Sequence, residues 1–135
     1  MIIGFTGSRR GLSKEQMAQV NSVLIQHQAT HLHHGDCVGS DEGFHRVGEE
    51  MANVSITIHP PDKPGLRAFC DPQGEGVKKL PLPFLKRNHA IVDACDILIA
   101  CPETNQEQLR SGTWATIRYA RKKGKEVIII PQRII

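Results

Sequence analysis

The sequence has few aromatic residues, little net charge and no long apolar run. Aromatic side chains make up 4% of its 135 residues, and the formal net charge is +3, with 17 Lys and Arg against 14 Asp and Glu. Both features disfavour nucleic acid as a partner, because such proteins use strong basic patches and often stack bases on aromatic rings. No apolar run approaches the roughly 18 residues that a membrane span needs. The first residues also lack the leader of a signal peptide, so we expect no membrane association.

The sequence also lacks any C-x-x-C pair among its four cysteines, which are Cys37, Cys70, Cys95 and Cys101. This absence argues against both a zinc knuckle and a disulfide framework, and it predicts reduced thiols in a cytoplasmic protein. Histidines cluster around His31, His33 and His34, but on a strand His34 points away from the other two. We therefore predict no metal site and no resident cofactor.

Short apolar strands alternate with amphipathic helices along a chain whose length suits a single domain, 1–135. The predicted strands are 1–6, 31–34, 54–58, 96–101 and 127–130. Helices are predicted from Ser13, from Ser40 or Asp41, over 84–95 and over 112–123, the first opened by a capping box. The last two strands are apolar throughout, as in a parallel sheet covered by helices. The pattern predicts an α/β fold, a single Rossmann-like three-layer domain with a five-stranded, mainly parallel sheet.

The segment 59–83 has no hydrophobic period and holds six of the eight prolines. Irregular stretches of this length are uncommon in a compact domain, and they are usually binding loops, lids or disordered insertions. We predict an irregular loop here that either caps a ligand or reaches a neighbouring subunit.

Candidate ligand-binding residues follow the first strand, at Gly7, Ser8 and Arg9. Glycine lets the backbone turn close to an anion, while hydroxyl and guanidinium groups supply donors and charge. The spacing matches neither G-x-G-x-x-G nor the Walker A pattern, so neither a dinucleotide dehydrogenase nor a P-loop NTPase is indicated.

The second strand leads into His34-Gly35-Asp36-Cys37-Val38-Gly39-Ser40-Asp41, where acidic residues gather. A phosphate here would face Asp36, Asp41 and Glu42, so ribose hydroxyls, a base amino group or a metal bridging to phosphate fit better. Asp41 and Glu42 also suit a helix N-terminus without any ligand. Asp36 has no such explanation and is the stronger candidate for a ligand contact, beside Gly35.

A third group follows the fourth strand, at Ser111, Gly112 and Thr113. A Ser-Gly-Thr turn that opens a helix offers free backbone N–H groups and two hydroxyls to an anion. Arg87 and Asn88 lie on the preceding helix. Asn88 interrupts its apolar stripe, which favours a functional role.

Three elements in order, G-F-T-G-S-R, H-G-D-C-V-G-S-D and R-N followed by R-S-G-T-W, resemble the SLOG superfamily of Rossmann-like nucleotide-binding domains. That superfamily joins the lonely-guy phosphoribohydrolases, which release cytokinin bases from nucleoside monophosphates, to the DNA-processing protein A family. The sequence is most similar to the short, stand-alone, YpsA-related branch of bacteria and phages. The resemblance extends from Ile3 to about Pro131.

The resemblance implies roles for the matching positions. It places Gly7, Ser8 and Arg9 in the first nucleotide-binding loop and the second loop at Gly35, Asp36 and Asp41. It also places the phosphate-binding turn at Gly112 and Thr113, and it sets Arg87 near the scissile sugar–base bond. The hydrolases carry a glutamate after this turn, which is thought to stabilise the transition state, whereas this sequence has Thr116.

The leading interpretation is a module that binds a nucleotide or nucleotide-derived ligand as a sensor, carrier or sequestering protein. One alternative is an N-glycoside hydrolase that releases free base from a nucleoside monophosphate, with Arg87, Asp36 and Asp41 as its catalytic residues. A DNA-binding, processing-type protein is the second alternative. The resemblance and the small size of the domain both favour a homodimer.

Overall fold

The computed structural model describes residues 1–132, and these form one parallel sheet with helices on both faces. The strands are β1 (Ile2–Gly7), β2 (His31–His34), β3 (Ser55–Ile58), β4 (Ile97–Cys101) and β5 (Glu126–Ile129). The helices are α1 (Lys14–Gln26), α2 (Ser40–Glu49), α3 (Phe84–Ala94) and α4 (Gly112–Lys122). All four strand pairings are parallel. The predicted Rossmann-like α/β fold is confirmed, and the described sheet is parallel throughout; the last three positions of the predicted domain lie outside the described residues.

The sheet order is β3-β2-β1-β4-β5, so the chain reverses direction across the sheet between β1 and β4. The connections after β1 and β2 run towards one edge, and the connection after β4 runs towards the other. Such a reversal opens a crevice beyond the carboxyl ends of the strands. The topology therefore fixes where a ligand would bind before any side chain is considered.

The N-terminus of α1 shows how local sequence sets an element boundary. Ser13 Oγ accepts a hydrogen bond from Gln16 N at 3.1 Å, and Gln16 Oε1 accepts one from Ser13 N at 3.0 Å. This is the predicted capping box, which satisfies two backbone donors at once. The Gln16 side chain is buried and also donates from Nε2 to Ile130 O at 3.3 Å.

The core has two main apolar clusters, one on each face of the sheet. On one face Phe5 of β1 stacks on Phe44 of α2, with ring centroids 4.4 Å apart, and Val20 of α1 packs in the same cluster. On the other face Leu98 of β4 packs with Ile91 of α3. Helices α1 and α2 thus cover one face, while α3 and α4 cover the other. No helix within residues 1–132 combines the length and apolarity needed to span a bilayer.

The irregular segment 59–83 packs along the edge of the sheet beside β3. Ile56 exchanges two backbone hydrogen bonds with Gln73, and Ile58 accepts from Lys79 N and donates to Val77 O. These bonds occupy backbone groups that an edge strand otherwise exposes. The segment has only one short 3₁₀ helix, over Pro64–Leu66, so its predicted irregularity is correct, yet it is anchored to the sheet edge.

Candidate functional site

A cleft of about 910 Å³ opens beyond the carboxyl ends of the strands, at the crevice between β1 and β4. Its walls come from the connections after β1, β2 and β4 and from the first turns of α3. Ten of the predicted ligand-binding residues line it: Gly7, Ser8, Arg9, Gly35, Asp41, Arg87, Asn88, Ser111, Gly112 and Thr113. The topology thus brings four segments that are far apart in sequence into one cavity.

Asp36 is the one predicted residue that does not line the cleft. It is fully buried, and both oxygens of its carboxylate face the 59–83 segment. Oδ2 accepts from Arg67 Nε at 2.7 Å, and Oδ1 accepts from Cys70 N at 2.8 Å. With both oxygens bound in this way, the Asp36 carboxylate links the turn after β2 to the 59–83 segment and does not line the cleft.

Arg87 is buried in the cleft wall and tied to the backbone of two other elements. Its Nη1 donates to Gly35 O at 2.5 Å and to His59 O at 3.2 Å, and its Nε donates to Asn88 Oδ1 at 2.7 Å. The guanidinium also lies over the ring of Phe84, with Cζ 4.8 Å from the centroid. Asn88 therefore orients Arg87, which explains the polar residue on an otherwise apolar helix face.

Asp41 supplies the buried carboxylate of the cleft wall, whereas Glu103 lines the cleft with an exposed side chain. Asp41 Oδ2 accepts a hydrogen bond from Cys37 N at 3.2 Å. Burial raises the pKa of Asp41 to about 6, even though the positive charge of Arg87 acts in the opposite direction. A carboxyl group whose pKa lies near neutrality can both donate and accept a proton, which is the property of a general acid or base.

The first turn of α4 presents backbone donors to the cleft. Ser111 Oγ caps the helix by accepting from Trp114 N at 3.3 Å. The N–H groups of Gly112 and Thr113 have no protein acceptor among residues 1–132, as expected at a helix start. An anion placed here would meet free donors and the positive end of the helix dipole.

The mouth of the cleft also holds Arg10, a further source of positive charge in the connection after β1. Arg10, which follows β1, pairs with Glu103, which follows β4, across 3.8 Å in an exposed contact. Phe84 lines the cleft and lies near two arginines, since Arg9 Cζ is 5.9 Å and Arg87 Cζ 4.8 Å from its ring centroid. Its apolar spacing in the sequence is that of a core residue, and no local signal marks it as part of a site.

Solved structures with the same architecture include three proteins. A structural genomics target named TM1055 matches over 93% of this chain and 71% of its own, at 16% identity and a TM-score of 0.66. The molybdenum cofactor binding protein of Rippkaea orientalis matches over 98% and 77%, at 20% identity and a TM-score of 0.70. DNA processing protein A of Streptococcus pneumoniae matches over 98% of this chain, at 20% identity and a TM-score of 0.66, and the chain spans about half (51%) of its length.

These likenesses show a shared Rossmann-like fold. It is the fold that the resemblance to the SLOG superfamily leads us to expect, since that superfamily includes the DNA-processing protein A family. No protein-family model and no curated protein matches the sequence, so the likeness is one of structure, and none of the three solved proteins carries the name of the YpsA-related branch.

Thr116 is the residue that the resemblance places where the SLOG hydrolases carry a glutamate. Its side chain is buried, and Oγ1 donates to Gly112 O at 2.8 Å, one helical turn earlier. The hydroxyl is therefore used within α4. A carboxylate for chemistry in the cleft would have to come from another position, and Asp41 and Glu103 both line the cleft.

A second polar cluster lies among buried residues of β2, α2 and the 59–83 segment. His34, His45 and Cys70 each place one ligand atom within 4.8 Å of the others, and they form the one such metal-sized group among the described residues. However, His34 Nδ1 accepts from Asp36 N at 3.0 Å, which puts the ring proton on Nε2, and Nε2 lies 2.9 Å from His45 Nδ1. The two rings share a hydrogen bond, so the three atoms do not offer three free lone pairs to a metal.

Buried histidines also predict the pH dependence of stability. His33 Nδ1 lies 2.8 Å from His59 Nε2, and burial, the largest cause, lowers the pKa of His33 to about 4 and that of His59 to about 3. The unfolded chain therefore binds more protons than the folded one below pH 6.5. We expect the free energy of unfolding to fall as the pH drops from 6.5 towards 4, by at most about 1.4 kcal/mol per pH unit for each histidine.

Urea unfolding at pH 7.5, 6.0, 5.0 and 4.5 tests this expectation. The raised pKa of Asp41 gives a smaller slope of opposite sign between about pH 3.8 and 6, because the folded state then binds more protons. His59→Gln should flatten the acid slope, whereas His31→Gln, with a partly exposed ring, should leave it unchanged. Equal slopes in wild type and His59→Gln would contradict the assignment.

Proposed function

We propose that the protein binds a nucleotide or nucleotide-derived ligand in the cleft and acts as a sensor, carrier or sequestering module. The observation that carries the proposal is one juxtaposition. The free N–H groups that open α4 share a cavity with Arg87, Asn88 and Asp41. A phosphorylated ligand needs an anion site at one end and hydrogen-bonding groups for a polar body at the other.

The phosphate would bind where α4 begins. Gly112 and Thr113 offer backbone donors, and no atom lies within 4 Å of a Cβ built on Gly112, so the backbone there is open to close approach. Arg110, which precedes α4, adds positive charge at this end of the cleft, and Arg9 adds positive charge to the cleft nearer Phe84. Charge-assisted hydrogen bonds of this kind are stronger than neutral ones.

The ribose or base would bind towards α3 and the turn after β2. Asp41 and Asn88 offer acceptors and a donor, and Phe84 offers an apolar ring face. The negative carboxylate of Asp41 at this end would repel phosphate. One end of the cleft therefore favours an anionic group and the other end a neutral one. This asymmetry favours a ligand with one anionic and one neutral end.

One of the similar structures is a molybdenum cofactor binding protein, and this likeness supports the binding of a small molecule by this fold. We further propose a cytoplasmic homodimer of the YpsA-related type. The exposed Leu85 on α3 and Leu109 beside the cleft supply apolar surface for such contacts. Light scattering coupled to size exclusion, at several protein concentrations, gives the oligomeric state.

A panel of nucleoside mono-, di- and triphosphates, dinucleotides and single-stranded DNA tests the proposal, with thermal shift and released base recorded together. A shift without base release selects the binding module, and we expect this result for at least one nucleotide. Response only to DNA, weakening steeply with salt, would select the processing-type alternative. No response to any nucleotide would contradict the proposal.

A hydrolase is the second candidate, because Asp41 combines a place in the cleft with a pKa of about 6. Asp41 would stabilise the oxocarbenium-like transition state or activate water, and Arg87 would hold the substrate. If free base is released, Asp41→Asn should lower the rate by about 10²-fold or more, the scale of a lost general acid or base. Glu42→Gln, which removes an exposed neighbouring carboxylate, is the matched control, and equal loss in both variants would reject the assignment to Asp41.

A further inference from the structure

Every polar group of Asp36 is bound by protein. Its backbone N–H donates to His34 Nδ1 at 3.0 Å, and its carbonyl accepts from Ala68 N at 2.8 Å. Its carboxylate accepts from Arg67 Nε and from Cys70 N. Three of these four partners belong to residues 64–70, which we term the loop segment.

The neighbours of Asp36 in the chain face the opposite way, into the cleft wall. Gly35 O accepts from Arg87 Nη1, and Cys37 N donates to Asp41 Oδ2. A Cβ built on Gly35 would lie 2.5 Å from Arg87 Nη1 and 2.9 Å from Asp41 Oδ2. Residues 35–38, which we term the cleft turn, are therefore in contact with both candidate functional side chains.

The backbone of Asp36 adopts a conformation that needs this support. Its φ is +54°, in the left-handed region that non-glycine residues rarely adopt, although Asp and Asn adopt it more often than most. Such residues persist when their surroundings fix them, and they concentrate at ligand sites. One further backbone hydrogen bond, from Val38 N to Leu66 O, joins the Ala68–Asp36 bond to form the antiparallel Cys37–Arg67 bridge, which fastens the same turn to the loop segment.

We propose that Asp36 is a positioning residue: it fastens the loop segment to the cleft turn and, through Gly35 and Cys37, fixes Arg87 and Asp41 at the cleft wall. The irregular 59–83 segment then affects the ligand site indirectly, through the cleft turn, without lining the cleft itself. Arg67 shares this role. Its guanidinium bonds Asp36 within the protein and does not line the cleft.

The first test needs no ligand, so it stays separate from the proposed function, on which only the binding test below rests. Carbon-13 NMR titration of Asp41 reports the hydrogen bond from Cys37 N, which favours the ionised carboxylate. In Arg67→Gln we expect the pKa of Asp41 to rise by half a unit or more. Asp36→Ala does not serve here, because the negative charge of Asp36 itself raises the pKa of Asp41 and is lost with the side chain. Asp71→Asn removes an exposed carboxylate from the 59–83 segment and should leave the pKa of Asp41 unchanged.

A double variant distinguishes positioning from general destabilisation. Asp36→Asn keeps one acceptor oxygen and tolerates positive φ, but it places an amide donor against Arg67 Nε. Adding Arg67→Gln supplies an acceptor for that amide, so the double variant should recover most of the change in the Cys37 amide chemical shift that Asp36→Asn causes, since Cys37 N donates to Asp41. A role in stability alone would change the melting temperature of each variant without moving this chemical shift.

Binding gives the second readout, with the nucleotide that responds in the panel and inorganic phosphate as probes. In Arg67→Gln we expect nucleotide affinity to fall at least tenfold, while phosphate affinity stays within twofold, because phosphate binds at α4 on the other side of the cleft. An unchanged Asp41 pKa in folded Arg67→Gln would overturn the proposal whether or not any nucleotide binds. An equal loss of affinity for both probes would overturn it as well.

Discussion

Arg87→Met should lower the affinity for the bound nucleotide by about 100-fold or more and also destabilise the protein. Arg87 is the one cleft residue that bonds the cleft turn, the start of the 59–83 segment and its own helix neighbour at once. Its removal leaves the carbonyls of Gly35 and His59 without this donor, and each buried acceptor left unpaired costs about 1–3 kcal/mol. Loss of the cation should also raise the pKa of Asp41, because that charge favours the ionised carboxylate.

Calorimetric titration and urea unfolding measure the two effects separately. Lys86→Met is the matched control, since it also replaces a positively charged side chain with methionine, at the exposed neighbouring position in α3. Arg87→Lys should recover little, because one ammonium group cannot reproduce the planar fork that reaches three acceptors. Nucleotide affinity within threefold of wild type in Arg87→Met would contradict the role assigned to this residue.

Gly39→Ala should destabilise the protein by about 3 kcal/mol or more and abolish ligand binding. Gly39 precedes α2 with a φ of +95°, which L side chains rarely adopt, and a Cβ there would overlap the carbonyl oxygen of Arg9. The substitution therefore adds backbone strain and pushes the connection after β1 away from the connection after β2. Because these two connections form adjacent walls of the cleft, the ligand site opens with them.

Thermal and urea unfolding with a matched alanine control test this expectation. Gly65 has no atom within 4 Å of its built Cβ and no positive φ, so Gly65→Ala should change stability by less than about 1 kcal/mol. A Gly39→Ala protein as stable as Gly65→Ala would show that the two connections do not approach each other as described.

Much of the fold was predictable because its signals are local. The capping box at Ser13 and the strand at 31–34 depend on residues within a few positions of each other, and both are confirmed. The order of strands and helices then leaves few right-handed topologies. The cleft follows from that topology, which is why residues chosen at strand ends lie together in it.

Asp36 shows what local sequence could not give. Its carboxylate partners, Arg67 and Cys70, are 31 and 34 residues away, in a segment without hydrophobic period. The sequence around Asp36 does not distinguish a buried carboxylate that binds other parts of the protein from one that contacts a ligand. Asp41 had an ordinary explanation at a helix N-terminus, and only burial beside Arg87 sets it apart.

Phe84 and the 59–83 segment show the same limit. Phe84 has the spacing of a core residue, yet the fold places its ring on the cleft wall near Arg9 and Arg87. The role predicted for the loop, to cap a ligand or reach a neighbour, stays a prediction, and its pairing with the edge of β3 through Ile56 and Ile58 was not foreseen. Pairing between distant segments of backbone leaves no periodic trace in the sequence.

Amide chemical shifts during nucleotide titration test the central claim most directly. We predict that the nucleotide which gives the thermal shift moves the amide signals of Ser8, Arg9, Gly112 and Thr113 in a saturable way, and that inorganic phosphate moves those of Gly112 and Thr113. The amide signals at the amino ends of the strands, such as those of Thr30 and Asp96, should not shift. Saturable shifts at the amino ends, with the signals of Gly112 and Thr113 unmoved, would contradict a nucleotide site in this cleft.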